Sequence, residues 1–278
     1  MRSAADAVAP RLTFASLTDI GKVRSHNEDF LGDPRSMSAF TGDHTGLSRM
    51  EWLFAVADGM GGHADGEVAS RVAVEALFSS YYTSAEEPQL ALADAMAAAN
   101  EAVCRASDRG VTPDSPRSRM GTTLVTAVLG GPRILVGNVG DSRAYLLVDG
   151  RLSQVTQDHS FIAEQVQMGR MTAQEARFAP LRNVLTRALG SQESAMPDLF
   201  EVPWRSGGIL LLCTDGLHGV VEDRAIEAAL AEEPLDRAVR RLIDAANAEG
   251  GPDNISAIVV RADGTSTESR PASPQRTT

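Results

Sequence analysis

Between Thr122 and Thr156 three apolar runs follow one another almost without pause: TTLVTAVLG (122–130), RILVGNVG (133–140) and SRAYLLVDGRLSQVT (142–156). A parallel crossover needs a dozen or more residues, so breaks this short permit only antiparallel pairing. Gly130-Gly131 and Asp149-Gly150 read as two-residue hairpin turns, the second being a preferred type I′ pair. RLTFASLTD (11–19), EWLFAVAD (51–58), FEVPW (200–204), GGILLLCTD (207–215) and NISAIVVRA (254–262) read as further strands.

Two pairs of amphipathic helices complete the pattern. GEVASRVAVEALFSSYY puts Val68, Val72, Ala73, Ala76 and Leu77 on one face, and after Pro88 come Leu92, Met96, Ala99 and Val103 at helical spacing. The last helix carries Leu235, Val239, Leu242, Ile243 and Ala246 on one face and stops at Gly250-Gly251. Each helix must bury its single face, whereas the middle strands are apolar on both. The expected fold is therefore α+β, a four-layer α/β/β/α sandwich of two mostly antiparallel sheets flanked by helix pairs. One domain is expected over residues 11–262, with small, polar, flexible tails at 1–10 and 263–278. Residues 157–198 are polar, Arg-rich and irregularly helical, and read as an insertion over a sheet edge.

Composition removes several classes of function. A net charge of −11 argues against nucleic acid as a partner. No run approaches the length of a membrane span, and MRSAADAVAPRL lacks the apolar stretch of a secretory signal, so a cytoplasmic location is expected. Lys22 is the only lysine, which excludes a Walker phosphate loop. The two cysteines, Cys104 and Cys213, read as reduced core thiols. Neither has an arginine six positions on, where Gly110 and Gly219 stand, so cysteine-dependent phosphoryl transfer is excluded as well.

The acidic residues are placed unusually. In FAVADGMGGHADGE (54–67) an apolar strand ends on Asp58 and is followed by Gly59, Gly61, Gly62 and Gly66. ILLLCTDG repeats the arrangement at Asp215-Gly216, Asp253 precedes the last strand, Asp141 lies between two strands, and Glu28 and Asp29 follow the first. One Asp-Gly step is turn chemistry. Repetition is different, because an antiparallel sheet sets the end of one strand beside the start of another. Like charges about 4 Å apart repel by about 4 kcal/mol at an effective dielectric of ~20. Such a cluster needs protons or cations between its members, and all-oxygen ligands suit Mg²⁺ or Mn²⁺. Gly59 would let its carbonyl turn toward an ion. A rival lies in the same stretch, since residues 59–64 satisfy the dinucleotide pattern G-x-G-x-x-G/A. The following helix, second helix and hairpins do not form the βαβ crossover that pattern requires.

TDIGKVRSHNED, VADGMGGHADGEVAS, MGTTLV, VGNVGDSRAYL, TQDHS, NVLTRALG, LLLCTDGL and GGPDNIS appear in the order of one family. From about residue 12 to 262 the chain resembles the bacterial metal-dependent type-2C (PPM) Ser/Thr protein phosphatases. The resemblance implies hydrolysis of phosphoserine and phosphothreonine in proteins by a water activated between two Mg²⁺ or Mn²⁺ ions. It implies that Asp58 bridges the ions, that Glu28 and the Gly59 carbonyl serve the second, and that Asp215 and Asp253 hold the first. Asp141, with Asp215, would form a weaker third site. Arg24 would clamp the substrate phosphate, and Asp29 and Asn254 would orient ligands.

Some animal relatives carry a His two residues after the bridging Asp; Met60 stands there in this chain, and His63 is the candidate general acid, through water. His159 is expected to cap or orient the start of the insertion, while His26, His44 and His218 read as surface or loop residues. The insertion resembles the family's flap, whose Arg170, Arg177, Arg182 and Arg187 could steer an acidic phosphopeptide. Phosphorylated proteins, targets of a cognate Ser/Thr kinase, are the expected partners of a monomer. The alternative is a catalytically inactive binding module, against which the intact set Glu28, Asp58, Asp141, Asp215 and Asp253 argues.

Overall fold

The computed structural model describes residues 11–41, 51–61, 64–109, 120–176, 179–181, 183–191 and 195–263. In chain order they form β1 (Arg11–Asp19), β2 (Asp29–Gly32), α1 (Ser38–Thr41), β3 (Trp52–Met60), α2 (Ala64–Thr83), α3 (Pro88–Arg109), β4 (Gly121–Thr122) and β5 (Leu124–Leu129). There follow β6 (Arg133–Val139), β7 (Arg143–Val148), β8 (Arg151–Gln154), α4 (Phe161–Gln167), α5 (Ala173–Ala176), β9 (Asp198–Pro203) and β10 (Ile209–Cys213). The last elements are α6 (Asp215–His218), α7 (Asp223–Leu230), α8 (Leu235–Ala248) and β11 (Ile255–Asp263).

One sheet has the order β1-β11-β10-β7-β8 and the other β2-β3-β5-β6-β9, with β4 also on β3. The pairings between them are antiparallel. The period of two along each strand sorts side chains into three apolar layers. Phe54, Val56 and Val125 meet Leu210, Leu212 and Ile258 between the sheets. Leu53, Ala55 and Ala57 turn outward to α2 and α3. Leu211, Cys213, Ala257 and Val259 turn outward to α7 and α8. This is the α/β/β/α sandwich the patterning implies.

Several local expectations shift. The β5–β6 register pairs Val128 with Leu135, which centres the turn on Gly131-Pro132 and not on Gly130-Gly131. Pro132 has no N–H to give to a ladder, so it belongs in the turn. At the next hairpin Asp149 (φ 51) and Gly150 (φ 73) adopt the left-handed pair of a type I′ turn. On α2 the fully buried residues include Ala69, Ala73, Val74, Leu77, Phe78 and Tyr81, leaving Val68, Val72 and Ala76 half-buried at the margin. The offset arises because α2 packs on both β3 and α3, so its buried arc is wider than one stripe. Cys213 is fully buried; Cys104 is half-buried on α3. In the flap, Ser160 caps α4 by accepting from Ala163 N at 3.2 Å, so the cap is Ser160 and not His159.

Candidate active site

Asp58 sits where the ladder is interrupted. β3 does not end there but runs on to Met60, and its partner breaks at Thr123, between β4 and β5. Asp58 N donates to Thr123 Oγ1 at 2.9 Å, while Thr123 N donates to Asp58 O at 2.9 Å. Directly across β2, Asp29 is paired in register with Asp58. From the second sheet, Asp215 opens α6 immediately beyond β10, and Asp253 lies two residues before β11. Antiparallel pairing of β10 with β11 puts these two at the same end. Asp141 lies in the turn from β6 to β7, where the chain passes between the sheets.

Close backbone packing holds this rim together. A Cβ on Gly59 would come within 2.0 Å of Gly66 O and 2.7 Å of Glu28 O. One on Gly216 would come within 1.9 Å of Asn254 O. Glycine is required at both by approach of neighbouring backbone, and neither needs a left-handed conformation. Asn254 uses its whole amide: Nδ2 donates to Ile20 O (3.0 Å) and His26 O (2.9 Å), and Oδ1 accepts from Glu28 N (2.8 Å). It thereby ties the loop carrying Arg24 and Glu28 to the entrance of β11. Asp29 is 6% exposed and accepts from Thr214 Oγ1 at 3.0 Å, so it also links the two sheets.

The electrostatics are those of crowded anions. Burial first, then Asp29, Asp215, Asp141 and Asp253, push the Asp58 pKa well above the usual carboxylate range. Asp141 is raised by burial and by Asp215 and Asp158. Asp215 is raised by burial and Asp253, a hydrogen bond with Asp58 partly opposing. Asp29 is raised to about 7, mainly by burial. Asp215 Oδ1 and Asp29 Oδ1 are buried without a donor. A proton shared between Asp58 and Asp215 would serve one of them, and a cation would serve both.

Arg24 and Asp253 are not independent. Arg24 Nη2 donates to Asp253 Oδ2 at 2.6 Å. Burial works against the Arg24 charge, but Asp253, Glu28 and Asp58 more than offset it and raise its pKa. Among the described residues, no three His, Cys, Asp or Glu side chains are already drawn into a closed cage. The donor chemistry nevertheless fits a hard divalent ion: oxygen atoms only, two of them buried and unserved, in groups that resist ionising beside one another.

From the sequence His218 reads as a surface or loop residue. Instead it lies half-buried on α6, and its Nε2 donates to the Asp141 carbonyl at 2.9 Å. Burial lowers its pKa to about 3, so the ring is neutral at physiological pH, with the proton on Nε2. The spacing Asp215–His218 on one helical turn was the available signal. His159 is 2% exposed; its Nδ1 accepts from Gly140 N at 3.1 Å, and Nε2 meets Asp198 Oδ2 at 3.1 Å. It orients the turn that carries Asp141.

Of the flap arginines, Arg187 is held by Asp198 Oδ1 (2.8 Å) and Met196 O (3.2 Å) and is not free to steer a peptide. Arg177, Arg182, His44 and His63 lie outside the described residues.

A cavity of about 940 Å³ opens from the carboxylate rim. Arg24, Asp141, Asp215 and Asp253 line one end. From there it passes between the flap and the turn after α6, where Ile162, Val166 and Val220 line it.

The sequence pattern of the family Protein phosphatase 2C matches residues 39–267. The serine/threonine phosphatase stp of Listeria monocytogenes is 35% identical over 252 residues, covering 88% of this chain and 94% of that protein. The serine/threonine protein phosphatase PstP of Mycobacterium tuberculosis is 38% identical over 248 residues, 89% of this chain but 44% of that longer protein. The PstP crystal structure superposes with a TM-score of 0.78 at 36% identity, covering 91% of this chain and 99% of that one. A structure of the PstP catalytic domain in complex with two manganese ions gives 0.76 at 35% identity, with the same coverage. With an antiparallel sandwich, a carboxylate rim and these relatives in agreement, the chain belongs to the protein phosphatase 2C family.

Proposed function

We propose that the protein is a metal-dependent phosphatase of phosphoserine and phosphothreonine in proteins, and that the rim formed by Asp58, Asp141, Asp215 and Asp253 is its active site. The observation that carries the reading is the set of part-buried, mutually repelling carboxyls contributed by both sheets, beside an arginine. Asp58 would be shared between two ions, Asp215 and Asp253 would complete one, and Glu28 with the Gly59 carbonyl the other. Asp141 with Asp215 would form a weaker third site. Bound Mg²⁺ or Mn²⁺ would supply Lewis acidity and bring a water's pKa toward neutrality.

The protein's own residues do the rest. Arg24 lines the cavity beside Asp253, and on leaving Asp253 its guanidinium can bind two oxygens of a phosphate. Water attacking phosphorus in line displaces the seryl or threonyl oxygen, which then needs a proton. His63 is the proposed donor, through water. Asn254 holds Glu28 and Asp253 in mutual register. Asp29, protonated or ionised near pH 7, adjusts the charge beside Asp58.

Phosphoproteins are the substrates; the targets of a cognate Ser/Thr kinase are the proposed source, met by a monomer in the cytoplasm. No helix among the described residues is long and apolar enough to cross a membrane. Turnover of p-nitrophenyl phosphate and of a phosphothreonine peptide, with and without Mn²⁺, tests the reading. Activity that survives both EDTA and Asp58→Ala would overturn it and favour neither metal nor site. Absence of turnover in saturating Mn²⁺ would favour an inactive binding module.

A further inference from the structure

We propose that the far end of the 940 Å³ cavity is a side-chain subsite that selects an apolar residue flanking the phosphorylated serine or threonine and disfavours an acidic one. The inference rests on the phosphatase reading above and specifies its substrate.

The cavity is continuous. One end is the carboxylate rim, and the other is walled by the flap. A phosphoryl group occupies a small part of such a volume, so the remainder must take what is attached to it. On α4, Ile162, Ala163 and Val166 fall on one helical face, and all three line the cavity. Ala176 of α5 and Val220, beyond α6, are also part of the lining. Apolar side chains of a short helix ordinarily find cover in the protein. Here Ala163 and Val166 remain half-exposed, and the space they border is the cavity itself. A peptide bound through its phosphate at the rim would lie along this wall, so an apolar neighbour of the phosphoresidue would give it cover.

The same apolar wall acts against acidic neighbours. Glu222, Asp223 and Arg224 also line the cavity. Arg143, which also lines the cavity, is committed: its Nε and Nη2 bond Asp158 (2.8 and 2.6 Å), and Nη1 bonds the Tyr145 hydroxyl (2.8 Å). Placing the charge of an aspartate or glutamate against Ile162, Ala163 and Val166 would cost its hydration, whereas a leucine would gain cover there.

The test uses the full chain in saturating Mn²⁺ with a panel of phosphothreonine peptides. The positions on either side of phosphothreonine are set in turn to Leu, Ala, Lys and Asp. p-Nitrophenyl phosphate, which has no flanking residue, is the reference. A Leu flank should exceed an Asp flank by roughly tenfold in kcat/KM. Val166→Asp and Val220→Asp should each lower kcat/KM for the Leu peptide far more than for p-nitrophenyl phosphate. Val166→Ala, which introduces no charge and cannot fail by burying one, should reduce the Leu preference in the same direction. A flat panel, or an undiminished Leu preference in all three variants, overturns the subsite. Metal-dependent turnover of p-nitrophenyl phosphate together with a flat panel would leave the phosphatase reading standing, whereas loss of that turnover would remove the reading itself.

Discussion

Arg24 Nη2 lies 2.6 Å from Asp253 Oδ2, so the residue proposed to hold phosphate is bonded to one proposed to hold a cation. Each can be released only when something replaces the other: a divalent ion for Asp253, a phosphate for Arg24. Arg24→Ala should therefore lower kcat/KM on phosphopeptides by about 10- to 100-fold, mainly through KM, because a charge-assisted pair to the substrate is lost. Mn²⁺ affinity, measured by calorimetry on the same variant, should hold or tighten. Weaker Mn²⁺ binding would mean that the pair organises the metal site instead of competing with it.

Asp58→Asn removes the most crowded charge of the rim. Activity should fall by about a hundredfold or more, since no neutral amide can bridge two cations. In EDTA the same variant should melt higher than the parent, because a carboxyl that its surroundings keep from ionising is replaced by an amide that need not take up a proton on folding. Scanning calorimetry in chelator reads this directly, and a lower melting temperature would contradict the crowding described here.

The pH dependence of the metal-free protein follows from raised carboxyls. Asp29, at about 7, has a folded pKa above its unfolded one. Its contribution is fully present below the unfolded value near 4 and is lost as pH rises through about 7. Asp58, Asp141 and Asp215 act in the same direction. The melting temperature in EDTA should fall between pH 5 and pH 8. Mn²⁺ should flatten or reverse that slope, because ligation requires deprotonation and becomes tighter as pH rises. Parallel melting curves with and without metal would refute the coupling.

His218 has the opposite sign. Its folded pKa, about 3, is below the unfolded value near 6.5, so its contribution is present above 6.5 and is lost as pH falls toward 3. Between pH 6.5 and 5 the loss is about 2 kcal/mol. His218→Gln keeps a donor for the Asp141 carbonyl without a group that titrates there, and in saturating Mn²⁺, where the carboxyls no longer oppose it, should flatten this acid limb in urea titrations. An unchanged acid limb would place the sensitivity elsewhere.

Gly216→Ala would force a methyl group toward Asn254 O, 1.9 Å from the ideal Cβ position. The expected cost is on the order of 3 kcal/mol, together with weaker Mn²⁺ binding as Asp253 moves. A variant with parental stability and metal affinity would show that this approach can relax.

The strands, their antiparallel sense and the layer order could be read from period-two patterning and short breaks, because each strand's burial is written along it. The acidic strand ends were legible by repetition. What escaped were relationships across the fold. The Arg24–Asp253 bond joins residues 229 positions apart, and no local pattern announces it. His218 looked like a loop residue because its acceptor is a backbone carbonyl on another element. On α2 the buried arc extends beyond the expected face, taking in Ala69, Val74, Phe78 and Tyr81 besides Ala73 and Leu77, because a second helix, and not only a sheet, lies against it. In each case a single helical or strand period records one neighbour, whereas the fold supplies two.

The Asp29–Thr214 hydrogen bond crosses the seam between the two sheets, and Asp58 and Asp215 face each other over the same seam. An ion held by that second pair would clasp the halves of the sandwich at one edge only. Divalent supply would then govern the breathing of that edge as well as turnover, and starving the protein of metal would loosen it from the working end first.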